Sequence, residues 1–235
     1  MSDKVPTRKP ASKDVESFLK KVAAVPVNTS GSGRGRLMFA MDATASRQPT
    51  WDKAASIQGE MFEATAALGG LDVQLAFYRG FGEFKVSQWT DDGKELLRLM
   101  TSVNCFAGET QINKILKHAL NETKKRKVNA LVFVGDCMEE DIDQLGKSAG
   151  ELGLNGVPVF MFQEGHDPLA KFAFQQIAKL SGGACVHFDG NSAETLKSLL
   201  GAVAVFAAGG HAALDDMAHK KGGEVLKLSH QMRKG

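Results

Sequence analysis

The sequence predicts an α/β protein built on a doubly wound, mostly parallel sheet, with one antiparallel edge strand and helices on both faces. Three observations carry that expectation. Short apolar runs at residues 37–41, 130–134 and 157–162 have the composition of strands buried on both faces. Segments with apolar residues three and four apart, the spacing of one helix face, separate them. The alternation lasts for about 170 residues, and parallel neighbours can only be joined through crossover connections.

Residues 1–10 are polar, carry two prolines and read as a leader. Val15, Phe18, Leu19, Val22 and Val25 then describe a short amphipathic helix. Residues 28–36 (NTSGSGRGR) have no apolar side chain and form a linker. Their glycines do not make a phosphate loop, because they precede a strand instead of joining a strand to a helix. After the strand at 37–41, Ala54, Ile57, Met61, Ala64 and Leu68 mark one face of a helix that Gly69 and Gly70 end. Val73, Leu75 and Phe77 alternate as a strand, Gly80-Phe81-Gly82 turns the chain, and residues 84–89 return as the antiparallel edge.

Helices are expected at 94–103 and from Gln111, the second with Ile112, Ile115, Leu116, Ala119 and Leu120 on its apolar side. Beyond the strand at 130–134 come a helix at 141–152 and the strand at 157–162. Asp167 and Pro168 open the next helix, Pro being suited to the first helical position. A strand at 184–188 follows. Asn191 with Glu194 starts the final helix as a capping-box pair, and Leu196, Leu199, Leu200, Val203 and Phe206 form its stripe. The chain thus divides into an N-terminal leader, helix and linker (1–34), an α/β domain (35–208) and a basic C-terminal extension (209–235).

Apolar residues make up 43% and charged residues 24% of the 235, which excludes a mostly disordered chain. The net charge of +2 hides an asymmetry: residues 1–36 carry +5, residues 37–210 carry −5 and residues 211–235 carry +2. An acidic body with basic ends argues against a nucleic-acid-binding domain. Cys105, Cys137 and Cys185 are odd in number and widely spaced, fitting neither a disulfide framework nor a zinc site but a reducing compartment. No apolar signal segment opens the sequence and no uncharged stretch is long enough to span a bilayer, so the expectation is a cytoplasmic protein without a membrane span.

In open α/β sheets, ligands bind beyond the carboxyl ends of the strands. There the first strand runs into Asp42-Ala43-Thr44-Ala45-Ser46, and alternation in an extended loop would present Asp42, Thr44 and Ser46 on one side. Gly108-Glu109-Thr110 precedes a helix, and the strand at 130–134 exits into Gly135-Asp136. Singly, each segment has a plainer reading: Thr44 and Ser46 cap the following helix, Thr110 caps the helix from Gln111, and Asp136 caps the helix at 141. Together, in this order and about 65 and 26 residues apart, they resemble the von Willebrand factor type A domain with its metal-ion-dependent adhesion site.

The resemblance covers about residues 35–208 and implies one divalent ion held by Asp42, Thr44, Ser46, Thr110 and Asp136. Thr44 departs from the serine usual at its position, keeping the hydroxyl but adding a methyl group. Hydroxyls and carboxylates are hard oxygen donors, which suit Mg²⁺ (or Mn²⁺ or Ca²⁺), an ion that keeps open or water-filled positions. The implied function is non-enzymatic adhesion, in which an Asp or Glu of a protein partner completes the coordination sphere. Arg47, Trp51, Phe106 and Glu139 flank the three segments and are the candidate partner-binding rim. For Trp51, core packing at the head of the helical stripe is an equal alternative. Cys137 reads as a small apolar filler, since neighbouring acids raise a thiol's pKa. The rival reading is a haloacid-dehalogenase-like, magnesium-dependent phosphatase with Asp42 as nucleophile. Against it, Thr44 stands where a second Asp would serve as general acid, and a helix follows where that family inserts a hairpin.

Overall fold

The computed structural model describes residues 34–65, 70–188 and 193–221, together with Ser17. The expected N-terminal helix, apart from Ser17, and the chain beyond residue 221 lie outside the described residues. Six strands form one sheet: β1 (Gly35–Asp42), β2 (Leu71–Arg79), β3 (Glu83–Val86), β4 (Ala130–Gly135), β5 (Val159–Glu164) and β6 (Ala184–Phe188). Their order is β3-β2-β1-β4-β5-β6, with β2–β3 antiparallel and every other pair parallel. The predicted doubly wound sheet with an antiparallel edge is therefore the observed one.

The alternation of β1 explains the two layers. Leu37, Phe39 and Met41 point to one face, and Met38 and Ala40 to the other, all wholly buried. The first face is covered by α1 (Gln48–Ile57), α2 (Gly59–Thr65), α3 (Gly93–Thr101) and α7 (Ala193–Lys221). The second is covered by α4 (Ile112–Lys125), α5 (Ile142–Leu154) and α6 (Pro168–Ser181). Each large apolar side chain buried this way contributes about 1.5–3 kcal/mol, so β1 is the best-anchored strand and a rigid base for the loop that follows it.

Two expectations need correction. The helix expected from Ala54 to Leu68 is two helices, α1 and α2, parted at Gln58. There the carbonyl of Gln58 accepts from the Met61 N–H at 3.1 Å, a three-residue closure, and the Gln58 side chain donates to the Gly93 carbonyl at 2.9 Å. The break tethers the α1–α2 turn to the start of α3. The last helix does not end near residue 208 but continues to Lys221, kinked at Gly210, whose φ of 68° and ψ of −159° only glycine adopts readily. Ala213 and Met217, beyond the kink, still pack against the core. Gly35 permits this close packing: a Cβ there would sit 2.4 Å from the Ala207 carbonyl oxygen.

Candidate metal centre

The sheet order reverses beside β1. From it the chain crosses to β2 on one side and, later, to β4 on the other, leaving a crevice at the carboxyl ends of β1 and β4. Asp42 closes β1, and Asp136 follows the last residue of β4. Gly135 leaves room for the Phe133 ring, since a Cβ there would lie 2.7 Å from it, and sits in ordinary contact range of Asp42, 3.6 Å from that Cβ to the Cβ of Asp42.

Asp42 is fully buried. Its Oδ1 accepts from the Thr44 N–H at 2.7 Å, while its Oδ2 is buried with no hydrogen-bond partner. Burial pushes this carboxyl up, the Thr44 N–H and hydroxyl pull it back, and the charge of Asp136 raises it again. In register with Asp42 on β2 stands Tyr78, the single tyrosine of the chain, whose buried hydroxyl is directed at Asp42 without a well-formed hydrogen bond. Burial and the charges of Asp42 and Glu140 hold that phenol well above its ordinary value, so it faces the crevice as a neutral group.

Ser46 does not continue the extended loop expected from alternation. The Arg47 N–H bonds the Thr44 carbonyl at 2.9 Å, closing a 3₁₀ turn over Ala45–Arg47. The turn swings Ser46 toward β4, where its hydroxyl donates to Asp136 Oδ2 at 3.1 Å. The other oxygen of Asp136, Oδ1, is buried and unpartnered. The turn also buries Arg47, which is 3% exposed. Its guanidinium lies 3.4 Å from Asp136 Oδ2 and pairs with Glu164 at the end of β5, a carboxylate that also accepts from the Thr50 hydroxyl.

The second segment is fastened to the other two through its backbone. The Phe106 N–H bonds the Ala43 carbonyl at 3.0 Å, and the Cys105 N–H bonds Gln48 Oε1 at 2.9 Å. The Thr110 N–H donates to Glu139 Oε2 at 3.2 Å, and its hydroxyl accepts from the Glu139 N–H at 3.0 Å. Glu140 accepts from the first N–H groups of α4, at Ile112 and, at 2.9 Å, Asn113. Gly108 lies flat on the β2–β3 turn, where a Cβ would fall 2.1 Å from the Gly80 carbonyl oxygen. Gly108→Ala is therefore expected to cost about 1–3 kcal/mol in a denaturant melt. Gly59→Ala, at a position with no atom within 4 Å of the added carbon, should leave stability nearly unchanged.

The structure thus brings together Asp42, Thr44, Ser46 and Asp136, and ties Thr110 to the segment after Asp136. The proposed rim divides. Phe106 is 51% exposed, with the Arg79 guanidinium 4.7 Å from its ring centre, and Glu139 is exposed. Trp51 is 1% exposed, donates from Nε1 to the Met100 carbonyl at 2.8 Å and packs edge-on against Phe77. It is a core residue and not a partner anchor, because the first turn of α1 points inward. Arg47 lies beneath the rim, held there by two carboxylates. Glu164 and Tyr78 were not singled out from the sequence, and Cys137, read there as an apolar filler, stands beside the two aspartates. The strand-end rule that selects Asp42 and Asp136 also selects Glu164, whereas Tyr78 carried no local signal.

Do these residues fit a cation? Two unpartnered carboxylate oxygens in one crevice, with the Tyr78 hydroxyl beside them, are what a cation site leaves when described without its ion. Uncompensated buried oxygens are otherwise costly and rare. Among the described residues, Asp42, Asp136 and Cys137 each offer a ligand atom, and the three atoms lie within 4.8 Å of one another. The residues fit a divalent metal. No hairpin is inserted between Asp42 and α1, which begins six residues later with only the 3₁₀ turn between them.

No protein-family profile and no curated protein matches the sequence. Solved structures do match. The SpRpn10 VWA domain superposes with a TM-score of 0.56 at 15% identity, over 71% of this chain and 94% of that one. A von Willebrand factor type A protein from Catenulispora acidiphila gives 0.61 at 12% identity, over 74% and 43%. Proximal thread matrix protein 1 from the mussel byssus, with a zinc-occupied MIDAS motif, gives 0.60 at 12% identity, over 73% and 46%. This chain spans nearly all of the first and less than half of the other two. At these identities the likeness is one of fold, and the fold is that of the von Willebrand factor type A domain.

Proposed function

We propose that this domain is a metal-dependent protein-interaction module, in which a divalent ion held by Asp42 and Asp136, with Ser46, Thr44 and Thr110 around them, captures an Asp or Glu of a protein partner. The observation that carries this reading is the pair of buried, unpartnered oxygens on Asp42 and Asp136 at the switch point of the sheet. The role is one of binding and not catalysis. Its all-oxygen members suit Mg²⁺ (or Mn²⁺ or Ca²⁺). When bound, the ion supplies positive charge and open positions for an incoming carboxylate. Without it, Glu139 and Glu109, both exposed, give the rim a negative face that repels an acidic partner. Metal dependence is thus built into the electrostatics.

The same acidic face disfavours nucleic acid. Among the described residues no helix is long and apolar enough to cross a membrane, and the three cysteines are free, in keeping with a cytoplasmic setting. Thermal melts of the full chain with and without Mg²⁺, Mn²⁺ or Zn²⁺ test the reading. A rise in Tm that chelator reverses and that Asp136→Ala abolishes is expected, and an unchanged Tm at millimolar ion would refute it. Phe106→Ala should weaken partner capture about tenfold or more, as loss of an exposed aromatic contact does, while leaving the ion-induced rise intact.

A further inference from the structure

We infer that Cys137 is a third protein ligand of this centre, and that the site therefore takes a borderline-soft divalent ion of the zinc class in preference to magnesium. The inference rests on the metal-centre reading above and goes beyond it, because the sequence motif contains only oxygens. Cys137 follows Asp136 directly, and its Sγ lies within 4.8 Å of carboxylate oxygens of both Asp42 and Asp136. Bond lengths to zinc of about 2.0–2.2 Å for carboxylate oxygen and 2.3 Å for sulfur mean that small side-chain rotations would let all three share one ion.

A cysteine beside two acids does not by itself make a site. The independent observation is Asp42: wholly buried, with Oδ2 lacking any hydrogen-bond partner in a crevice that already holds the thiol and a second unpartnered carboxylate oxygen. A thiol packed as mere filler can donate to Asp136 but leaves Asp42 Oδ2 uncompensated. A divalent ion bound by O, O and S satisfies both carboxylates together.

The donor set decides the ion. Magnesium dehydrates reluctantly and prefers oxygen in near-ideal octahedral geometry, and thiolate contributes little to it. Zinc accepts carboxylate and thiolate together, and with three protein ligands keeps one position open. That position is where the partner's carboxylate would enter. On coordination the sulfur releases its proton to solvent and binds as thiolate. Arg47, 3.4 Å from Asp136, offsets part of the negative charge of the cluster before an ion binds.

Cobalt(II) titration of the full chain tests this, because a thiolate ligand gives a sulfur-to-cobalt charge-transfer band in the near ultraviolet that oxygen ligands do not. The wild type should show the band in a one-to-one ratio, and Cys105→Ser should keep it. Cys137→Ser should lose the band while still binding cobalt, with Zn²⁺ affinity reduced about tenfold or more and Mg²⁺ affinity altered less than about twofold. Calorimetric cobalt binding without the band, or a band that survives in Cys137→Ser, overturns the role of Cys137 and leaves the interaction site standing. No binding of any divalent ion overturns both.

Discussion

Asp42→Asn is expected to make the metal-free protein more stable and, at the same time, blind to divalent ions. Both effects follow from one atom. Asp42 Oδ2 is buried, charged and unpartnered, a state that burial alone makes unfavourable. Asparagine keeps a carbonyl oxygen for the Thr44 N–H and replaces the orphaned oxygen by a donor, which the unpartnered Asp136 Oδ1 can accept. The gain should be about 0.5–2 kcal/mol, or a few degrees in Tm for a domain of this size.

The sign can be checked against pH. A carboxyl whose pKa is raised by folding stabilises the fold below its unfolded pKa, and that contribution is lost as pH rises through the raised folded value. The difference between wild type and Asp42→Asn should therefore grow from the ordinary carboxylate range up through the raised folded value and stay constant above it. Thermal melts over a pH series, with and without metal, measure both effects. A variant less stable than wild type without metal would show that Oδ2 has a partner after all.

Arg47→Met is expected to act in the opposite direction. Removing the guanidinium leaves Glu164 without its cationic partner and Asp136 with only the Ser46 hydroxyl. Breaking a buried pair by deleting one member costs about 3–5 kcal/mol. Because the carboxylate side chains retain 24% and 20% exposure, solvent screening brings the cost below that range, to about 2–3 kcal/mol. The Tm of the metal-free protein should fall by roughly 5–10 °C.

The same change removes a positive charge beside a proposed metal ligand, so divalent-ion affinity should rise about tenfold, and the ion should restore more stability to the variant than to wild type. Glu164→Gln in the Arg47→Met background should recover part of the lost stability, since it removes the abandoned charge. Calorimetric titration reads the affinity, and an unchanged value would show that Arg47 and the ion do not share Asp136. Arg47 thus acts as an internal counter-charge that the metal competes with, a role its position in the motif does not suggest.

Most of the fold was legible because its signals are local and periodic. The wholly apolar run ending at Met41 could only be a strand covered on both faces, and the pair Asp167-Pro168 opens α6 as expected, the Asp167 carboxylate accepting from the Ala170 N–H. The helix break at Gln58 was not legible, because its cause is a hydrogen bond to Gly93, thirty-five residues away. The extent of α7 was hidden for a similar reason. The apolar stripe read from the sequence ends at Phe206, yet the helical residues beyond Gly210 are held by packing of Ala213 and Met217 on the core.

At the candidate site the same division holds. Order, spacing and residue type selected Asp42, Thr44, Ser46, Thr110 and Asp136 and the sheet edge they belong to, because a strand exit is a local feature. Only the tertiary structure decided which atoms meet there. A single 3₁₀ turn sent Ser46 to Asp136, buried Arg47 between two carboxylates and turned Trp51 into the core. Packing of β4 against β1 brought the Cys137 sulfur to the same crevice. Chain-local preferences fix where a segment starts, ends and points on average, whereas partners of a buried charge are set by desolvation, which depends on whatever other segments close around it.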